Sequence, residues 1–344
     1  MPTTQAPTTV QQYESNTGVR IYRIPMEVFP NFIGYSYLLI GAGELTIVDA
    51  GSGFGKSDKM LMQGIETIGR DFGENIKVTD IERIILTHGH IDHFGGLPHL
   101  LEATGGASVG VHPLDRRILT NYEERRTIAS KDVRIFLERA GVREERLKQL
   151  IDMYEFSKQQ FQSVNVDFMF EEGDSFDGME FFHVPGHCSG QVAIRIGDIL
   201  LSADHILSRT SPHVAAESIT NWTGLGHYRD SLRKMAKLQD IRVTLGGHED
   251  PMDDLHGRIE HIQTRIDEKL VFIMDIMRKA EEPLSIAEVS KRRYRQQSGF
   301  DVLLALQEAG AYMEYLYDRG YLAIANMDEV ENEYNPMVLY NVIE

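Results

Sequence analysis

The sequence predicts a mixed α/β fold followed by a small helical domain. Three observations carry that reading. Short β-branched runs alternate with helical segments up to about residue 250. A charged block over 114–162 is almost free of glycine and has helical periodicity. Beyond His248 nearly every segment reads as helix.

Composition bounds the function. The chain has 344 residues, with 35 Lys and Arg against 52 Asp and Glu, a formal charge of −17 at pH 7. That balance argues against general affinity for nucleic acid or an anionic membrane, which attract basic faces. With 42% hydrophobic and 25% charged residues the composition is that of an ordinary globular enzyme. Cys188 is the single cysteine, so neither a disulfide framework nor a thiolate-cluster zinc site is expected. A reducing cytoplasm is the location expected. No signal-peptide pattern is seen, and the apolar runs are too short to span a bilayer.

In chain order, residues 1–18 are rich in Thr, Gln and Pro and read as a flexible tail. Tyr35–Ile40 and Glu44–Val48 flank Gly41-Ala42-Gly43, a hairpin pattern. Ser57 is placed to cap a helix running to about Arg70. Ile81–Leu86 is a buried-strand run, followed by a helix over 97–102 and a strand over 107–111. The block 114–162 reads as two or three helices forming a cap inserted in a main body of 19–252. Strands return over 179–184, 191–196 and 199–201, then a helix over 226–238 and a strand over 241–245. In the terminal 253–344, a long helix spans 256–281. Ser285-Ile286-Ala287-Glu288 has the capping-box pattern. An amphipathic helix spans 301–318, with Gly320 placed to end it. Three helices and a strand at 321–324 suggest a winged-helix-like appendage, whose helical faces could serve a homodimer.

The most informative segment is Thr87-His88-Gly89-His90-Ile91-Asp92-His93. It follows a buried strand and is flanked by Gly89, Gly95 and Gly96, which disfavour a helix through it. At a strand exit, residues two apart point the same way, so His88 and His90 can converge on one ion. After the turn, Asp92 and His93 can face a second. Imidazole and carboxylate suit zinc and other borderline divalent metals. A lone histidine here would be an ordinary loop residue; four ligand types in six positions are not.

His187, Asp204 and His248 each follow a strand and lie beside glycine or small residues. Singly each reads as a loop residue, but together they repeat one placement, at strand ends that share an edge. With Asp49 they complete a set, Asp49, His88-x-His90-x-Asp92-His93, His187, Asp204 and His248, that resembles the metallo-β-lactamase-fold hydrolase superfamily. The resemblance covers roughly residues 20–250, with a winged-helix-like C-terminus as in its two-domain members. It implies an αββα four-layer sandwich of two mixed sheets. It implies that His88, His90 and His187 hold one metal and that Asp92, His93 and His248 hold another. Asp204 would bridge the two, and Asp49 would support the ligand loop. The cofactors expected are two divalent ions, zinc foremost, with iron or manganese as alternatives. By the same resemblance a metal-bridged hydroxide attacks an ester, thioester or lactone carbonyl, and Asp92 acts as the catalytic carboxylate. The substrate expected is a small molecule, of acyl type given the cap.

Two alternatives stay open. Two-domain relatives of this kind include endoribonucleases and phosphodiesterases, against which the acidic charge stands. Persulfide dioxygenases keep the same first motif around one iron. Histidine at position 90 favours hydrolysis over two-iron oxygen chemistry, which uses a carboxylate there.

Weaker signals have plainer readings. Gly186-His187-Cys188-Ser189-Gly190 matches a nucleophile-elbow pattern, but a strand rather than a helix follows it. Gly51–Ser57 is one residue short of a phosphate loop. His213, in Ser211-Pro212-His213, is a weak candidate for substrate binding. The basic run Lys291–Arg295 adjoins a helix that carries Glu308 and Glu314, which opposes nucleic-acid binding.

Overall fold

The computed structural model describes residues 9–158, 161–294 and 297–343. Seven strands form the first sheet: β1 (Gln11–Glu14), β2 (Arg20–Phe29), β3 (Phe32–Ile40), β4 (Thr46–Val48), β5 (Arg83–Ile85), β6 (Ser108–Val111) and β7 (Phe168–Met169). They lie in chain order, antiparallel from β1 to β4 and parallel from β4 to β7. The second sheet comprises β8 (Ser175–Phe176), β9 (Met179–His183), β10 (Val192–Ile196), β11 (Ile199–Ala203) and β12 (Val243–Gly246). Its order is β12-β11-β10-β9-β8, with only β11 and β12 parallel. A terminal ribbon pairs β13 (Leu322–Ile324) with β14 (Tyr340–Val342).

The helices are α1 (Ser57–Asp71), α2 (Ile91–Phe94), α3 (Leu97–Thr104), α4 (Pro113–Thr120), α5 (Tyr122–Arg139), α6 (Glu144–Ser157) and α7 (Leu225–Met235). The C-terminal set is α8 (Leu255–Arg278), α9 (Ile286–Arg293), α10 (Asp301–Asp318) and α11 (Met327–Asn332). No helix among the described residues is long and apolar enough to cross a membrane.

Strand alternation builds the layers. Successive side chains on a strand point to opposite faces. Ile21, Tyr35, Tyr37 and Leu39 meet Ile194 and Leu201 between the two sheets. Tyr22, Ile24, Met26 and Leu38 point the other way, onto Leu61 and Ile65 of α1 and onto Leu97 of α3. On the second sheet, Ala193 and Leu200 turn outward to pack with Tyr228 and Leu232 of α7. The result is helix, sheet, sheet, helix, the four-layer αββα sandwich. Each aliphatic side chain so buried contributes roughly 1.5–3 kcal/mol relative to exposure.

The cap is α4–α6. Val133, Phe136 and Leu137 of α5 pack with Leu147, Leu150 and Ile151 of α6. One core cluster continues from these residues into α8, α9 and α10. Gly310 lets α10 come close to the cap, because a Cβ there would lie 2.6 Å from the Phe136 ring. The C-terminal helices therefore share their core with the cap and the body.

Two sequence expectations need correction. The tail expected over 1–18 is shorter, since Gln11–Glu14 pair with Arg20–Arg23 as an edge strand. Alternating half-buried and exposed residues suffice for an edge, and polar composition hides that pattern. Residues 1–8 lie outside the described residues. Ser57 does not cap α1. Its Oγ accepts from the Ser52 amide at 3.0 Å and so closes the preceding turn, while Lys56 sits at the cap without a side-chain bond. Ser285 does cap α9: its Oγ accepts from the Glu288 amide at 3.3 Å, and Glu288 accepts from the Ser285 amide at 2.8 Å.

Candidate metal centre

Parallel strands end on the same side, and here their ends carry the polar residues. Asp49 follows β4, His88 and His90 follow β5, His187 follows β9, Asp204 follows β11 and His248 follows β12. Asp92 and His93 lie on the one-turn helix α2. The structure brings seven of these together in two groups. His88, His90 and His187 form one; Asp92, His93, Asp204 and His248 form the other, with donor atoms of each group within 4.8 Å of one another.

The two groups touch. The His88 and His93 ring centroids lie 4.1 Å apart. Asp204 Oδ2 is 3.6 Å from His187 Nε2 in the first group and 3.4 Å from His248 Nε2 in the second. Its other oxygen lies 3.5 Å from His93 Nε2, and Asp92 Oδ2 is 3.2 Å from His248 Nε2. Asp204 thus stands between the groups. Backbone packing permits this only because residue 247 is glycine, since a Cβ there would fall 2.4 Å from Asp204 Oδ1 and 2.7 Å from His93 Cε1.

Three of the imidazoles have the far nitrogen fixed, which aims the near one inward. His93 Nδ1 donates to Asp49 Oδ2 at 2.8 Å. His187 Nδ1 donates to the His213 carbonyl at 2.6 Å, and His248 Nδ1 to the Ile33 carbonyl at 2.8 Å. Asp49 also accepts from the Thr87 amide and hydroxyl, both at 2.8 Å, so it ties the β5 loop to His93. Partners of this kind set the tautomer and orientation of ligand histidines.

The inward atoms are left without hydrogen bonds. His93 Nε2, His187 Nε2, His248 Nε2 and Asp204 Oδ1 are buried and make no hydrogen bond among the described residues. Orphaned polar atoms in a protein interior are costly, roughly 1–3 kcal/mol each. Four converging on one small space fit a cation, and the N/O donor set suits zinc-like divalent ions.

Electrostatics agree. Burial and the adjacent imidazoles hold His88 and His90 well below the usual range, so both keep a lone pair. His93 and His248 go the other way. Burial opposes their charge, but Asp204 and Asp49 outweigh it at His93. Asp204 and Asp92 push His248 up to about 10. Protons on these two imidazoles stand where a divalent ion would compete for the same lone pairs.

Comparison with known proteins leads to the same place. The family model described as the metallo-beta-lactamase superfamily matches residues 30–248. The chain belongs to the metallo-beta-lactamase superfamily. It is a metal-dependent hydrolase. The chain is 23% identical over 294 residues to "Probable metallo-hydrolase YqjP" of Bacillus subtilis (strain 168), covering 81% of this chain and 86% of that one. A metallo-beta-lactamase family protein from Thermus thermophilus superposes with a TM-score of 0.74 at 23% identity, covering 94% of this chain and 98% of that chain. A beta-lactamase domain protein from Burkholderia ambifaria gives 0.71 at 21% identity, covering 97% and 94%. At these identities the structures show a shared fold.

Within this metallo-beta-lactamase fold, the weak candidate His213 contributes mainly through its backbone, by the carbonyl that holds His187. Its ring reaches Gln307 Oε1 of α10 at 3.2 Å, so the C-terminal helix bears on a candidate ligand through two bonds. Cys188 is followed by strand β10, and its thiol donates to Asp115 Oδ2 at 3.3 Å.

Sequence reasoning missed Asp115. Fully buried on α4, it accepts from the Gly89 amide at 2.8 Å and the Gly190 amide at 2.9 Å. It therefore ties the His88–His90 loop to the His187 loop. No motif marks it, and an acid in a charged helical block reads as solvated. Arg23 was also missed. Wholly buried, its guanidinium lies 3.3 Å from the Tyr35 ring centroid and donates to the Glu249 carbonyl just after His248.

A cavity of about 740 Å³ opens onto the ligand cluster. Phe32, Phe54, Phe94, Ile118, Val133 and Leu303 give it apolar walls. Phe32 also packs on the His248 ring, with centroids 4.3 Å apart.

Proposed function

We propose that the protein hydrolyses a small acyl ester, thioester or lactone, with the acyl group held under the cap. The observation that carries this reading is the cavity itself. Its floor is the ligand cluster and its roof is α4–α6 with α10, so the reacting group and an apolar body of drug-like size fit together. A polynucleotide would need an open groove, which supports this reading over a nuclease.

His88, His90 and His187 would hold one ion, and Asp92, His93 and His248 a second, with Asp204 shared. The two-group arrangement supports two ions rather than the single iron of a persulfide dioxygenase. Two divalent ions, zinc foremost with iron or manganese as alternatives, would supply Lewis acidity and water of lowered pKa. The residues of the chain do the rest. Asp92 lines the cavity beside His90, as Asp204 also does, and it orients the attacking water and takes its proton. Asp49 holds His93, and the His213 carbonyl holds His187, so both keep their aim through the reaction. The apolar walls exclude bulk water and position the acyl chain.

The test is turnover of a panel of aryl esters, acyl thioesters and lactones by zinc-loaded and fully chelated protein. Turnover that vanishes on chelation and returns with metal is expected. Activity undiminished after complete chelation would sink the reading.

A further inference from the structure

Charge around the cavity runs against that of the chain. The protein has 52 acidic side chains and 35 lysines and arginines. Yet the only carboxylates lining the cavity among the described residues are Asp92 and Asp204, both in the ligand cluster. Three cations line it, Arg125, Arg126 and Lys158, all from the cap. Once the two carboxylates face divalent ions, no other acidic side chain lines the cavity among the described residues.

The three cations are not equivalent. Arg125 is engaged, donating to Thr220 Oγ1 at 3.2 Å and lying 3.5 Å from Asp132. The side chains of Lys158 and Arg126 make no hydrogen bond or close ion pair among the described residues; Arg126 feels Glu123 and Lys158 feels Asp92 only at longer range. The Lys158 ammonium lies 5.7 Å from the Tyr154 ring and close enough to Asp92 and His90 to influence both. It lines a cavity with many aromatic and aliphatic groups, where an unpaired charge is disfavoured. Burial accordingly pulls the Lys158 amine below its ordinary range.

We propose that Lys158 and Arg126 form an anion subsite in the roof, which binds a carboxylate or phosphate group carried by the substrate. This rests on the hydrolytic reading above and narrows it to amphiphilic substrates, with an apolar stem and one anionic group. The local positive field also offsets the repulsion that a chain of net charge −17 exerts on an incoming anion.

The experiment is ligand-observed NMR titration of zinc-loaded, full-length protein with hexanoate, hexyl phosphate and hexanol. At least one anion is expected to bind about tenfold or more tightly than hexanol, as a charge-assisted hydrogen bond implies. Which anion gains more tells carboxylate from phosphate. In the Lys158→Met, Arg126→Met double variant, which keeps the apolar stems, that advantage should shrink to about threefold or less. Equal binding of all three ligands by the unmodified protein would overturn the subsite. So would an advantage that survives in the double variant, because the ligand cluster alone would then read the anion. A preference removed by the double variant in a protein that cleaves no ester would sink the hydrolytic reading and leave the subsite standing.

Discussion

At the floor of the cavity, His93, His187 and His248 each have the outer nitrogen bonded to a fixed acceptor, and the inner one points at a shared centre. At its roof, Lys158 and Arg126 have no such hydrogen-bonded anchor, and aromatic and aliphatic side chains share the walls with them. Strand ends supply the floor, so its geometry is inherited from two sheets. Helices supply the roof, so its geometry depends on how the cap and α10 pack over the body. The contrast assigns chemistry to the floor and substrate choice to the roof. The two are therefore expected to respond differently to substitution.

The largest expected effect follows from the floor. Asp204→Ala removes the carboxylate that stands between the two groups, leaving His93, His187 and His248 without a common anionic partner. Turnover should fall by about 10³-fold or more, with loss of bound metal in elemental analysis. Leu303→Ala in the roof should change KM for longer acyl chains by less than about tenfold and leave metal content intact. The contrast breaks if Asp204→Ala keeps more than a tenth of the activity, or if Leu303→Ala empties the metal site.

Asp115 joins the two regions, because it belongs to the cap by sequence and to the floor by its bonds. Replacing it with alanine leaves the Gly89 and Gly190 amides and the Cys188 thiol unpaired in the interior. The expected loss of stability is about 3 kcal/mol by urea unfolding of the metal-free protein. A drop in metal affinity of about tenfold or more should accompany it, as expected when the support of a ligand loop is removed. An unchanged unfolding midpoint would show that the two loops are held by something else.

How much of this was legible in the sequence divides along the same line. The floor was readable because its residues are chemically unusual for loops and recur after short apolar strands. Asp49, His88, His90, Asp92, His93, His187, Asp204 and His248 all come together. The roof was readable as helices, through the spacing of Val133, Phe136, Leu137 and Ala140, but not as a surface. Nothing in the pattern of Arg125, Arg126 and Lys158 says that they face inward. Inward orientation depends on long-range packing, notably of α10 against Phe136 at Gly310. The same limit hid Asp115 and Arg23, whose partners are distant in sequence. The polar strand β1 was hidden for another reason, since an edge strand needs no apolar run.

The smallest effect concerns the start of the cap. His112 is buried, stacks on His183 with ring centroids 4.1 Å apart, and caps α4 by accepting from the Leu114 amide at 3.3 Å. Burial and the neighbouring His183 imidazole lower its pKa to about 4. Because the folded value lies below the unfolded value of 6.5, the folded state binds fewer protons there. The contribution of neutral His112 is complete above about pH 6.5 and is lost as pH falls toward 4. Protonation also removes the lone pair that caps α4, so the cap should loosen before the sheets do. His112 should contribute a decline of about 1–3 kcal/mol in unfolding free energy over that window in the metal-free protein, and His112→Asn, which keeps a capping oxygen but cannot titrate, should make the overall decline shallower by that amount. If the variant declines as steeply as the parent, acid sensitivity belongs to other buried imidazoles, such as His183, His205, His213 or those of the floor, and not to the start of the cap.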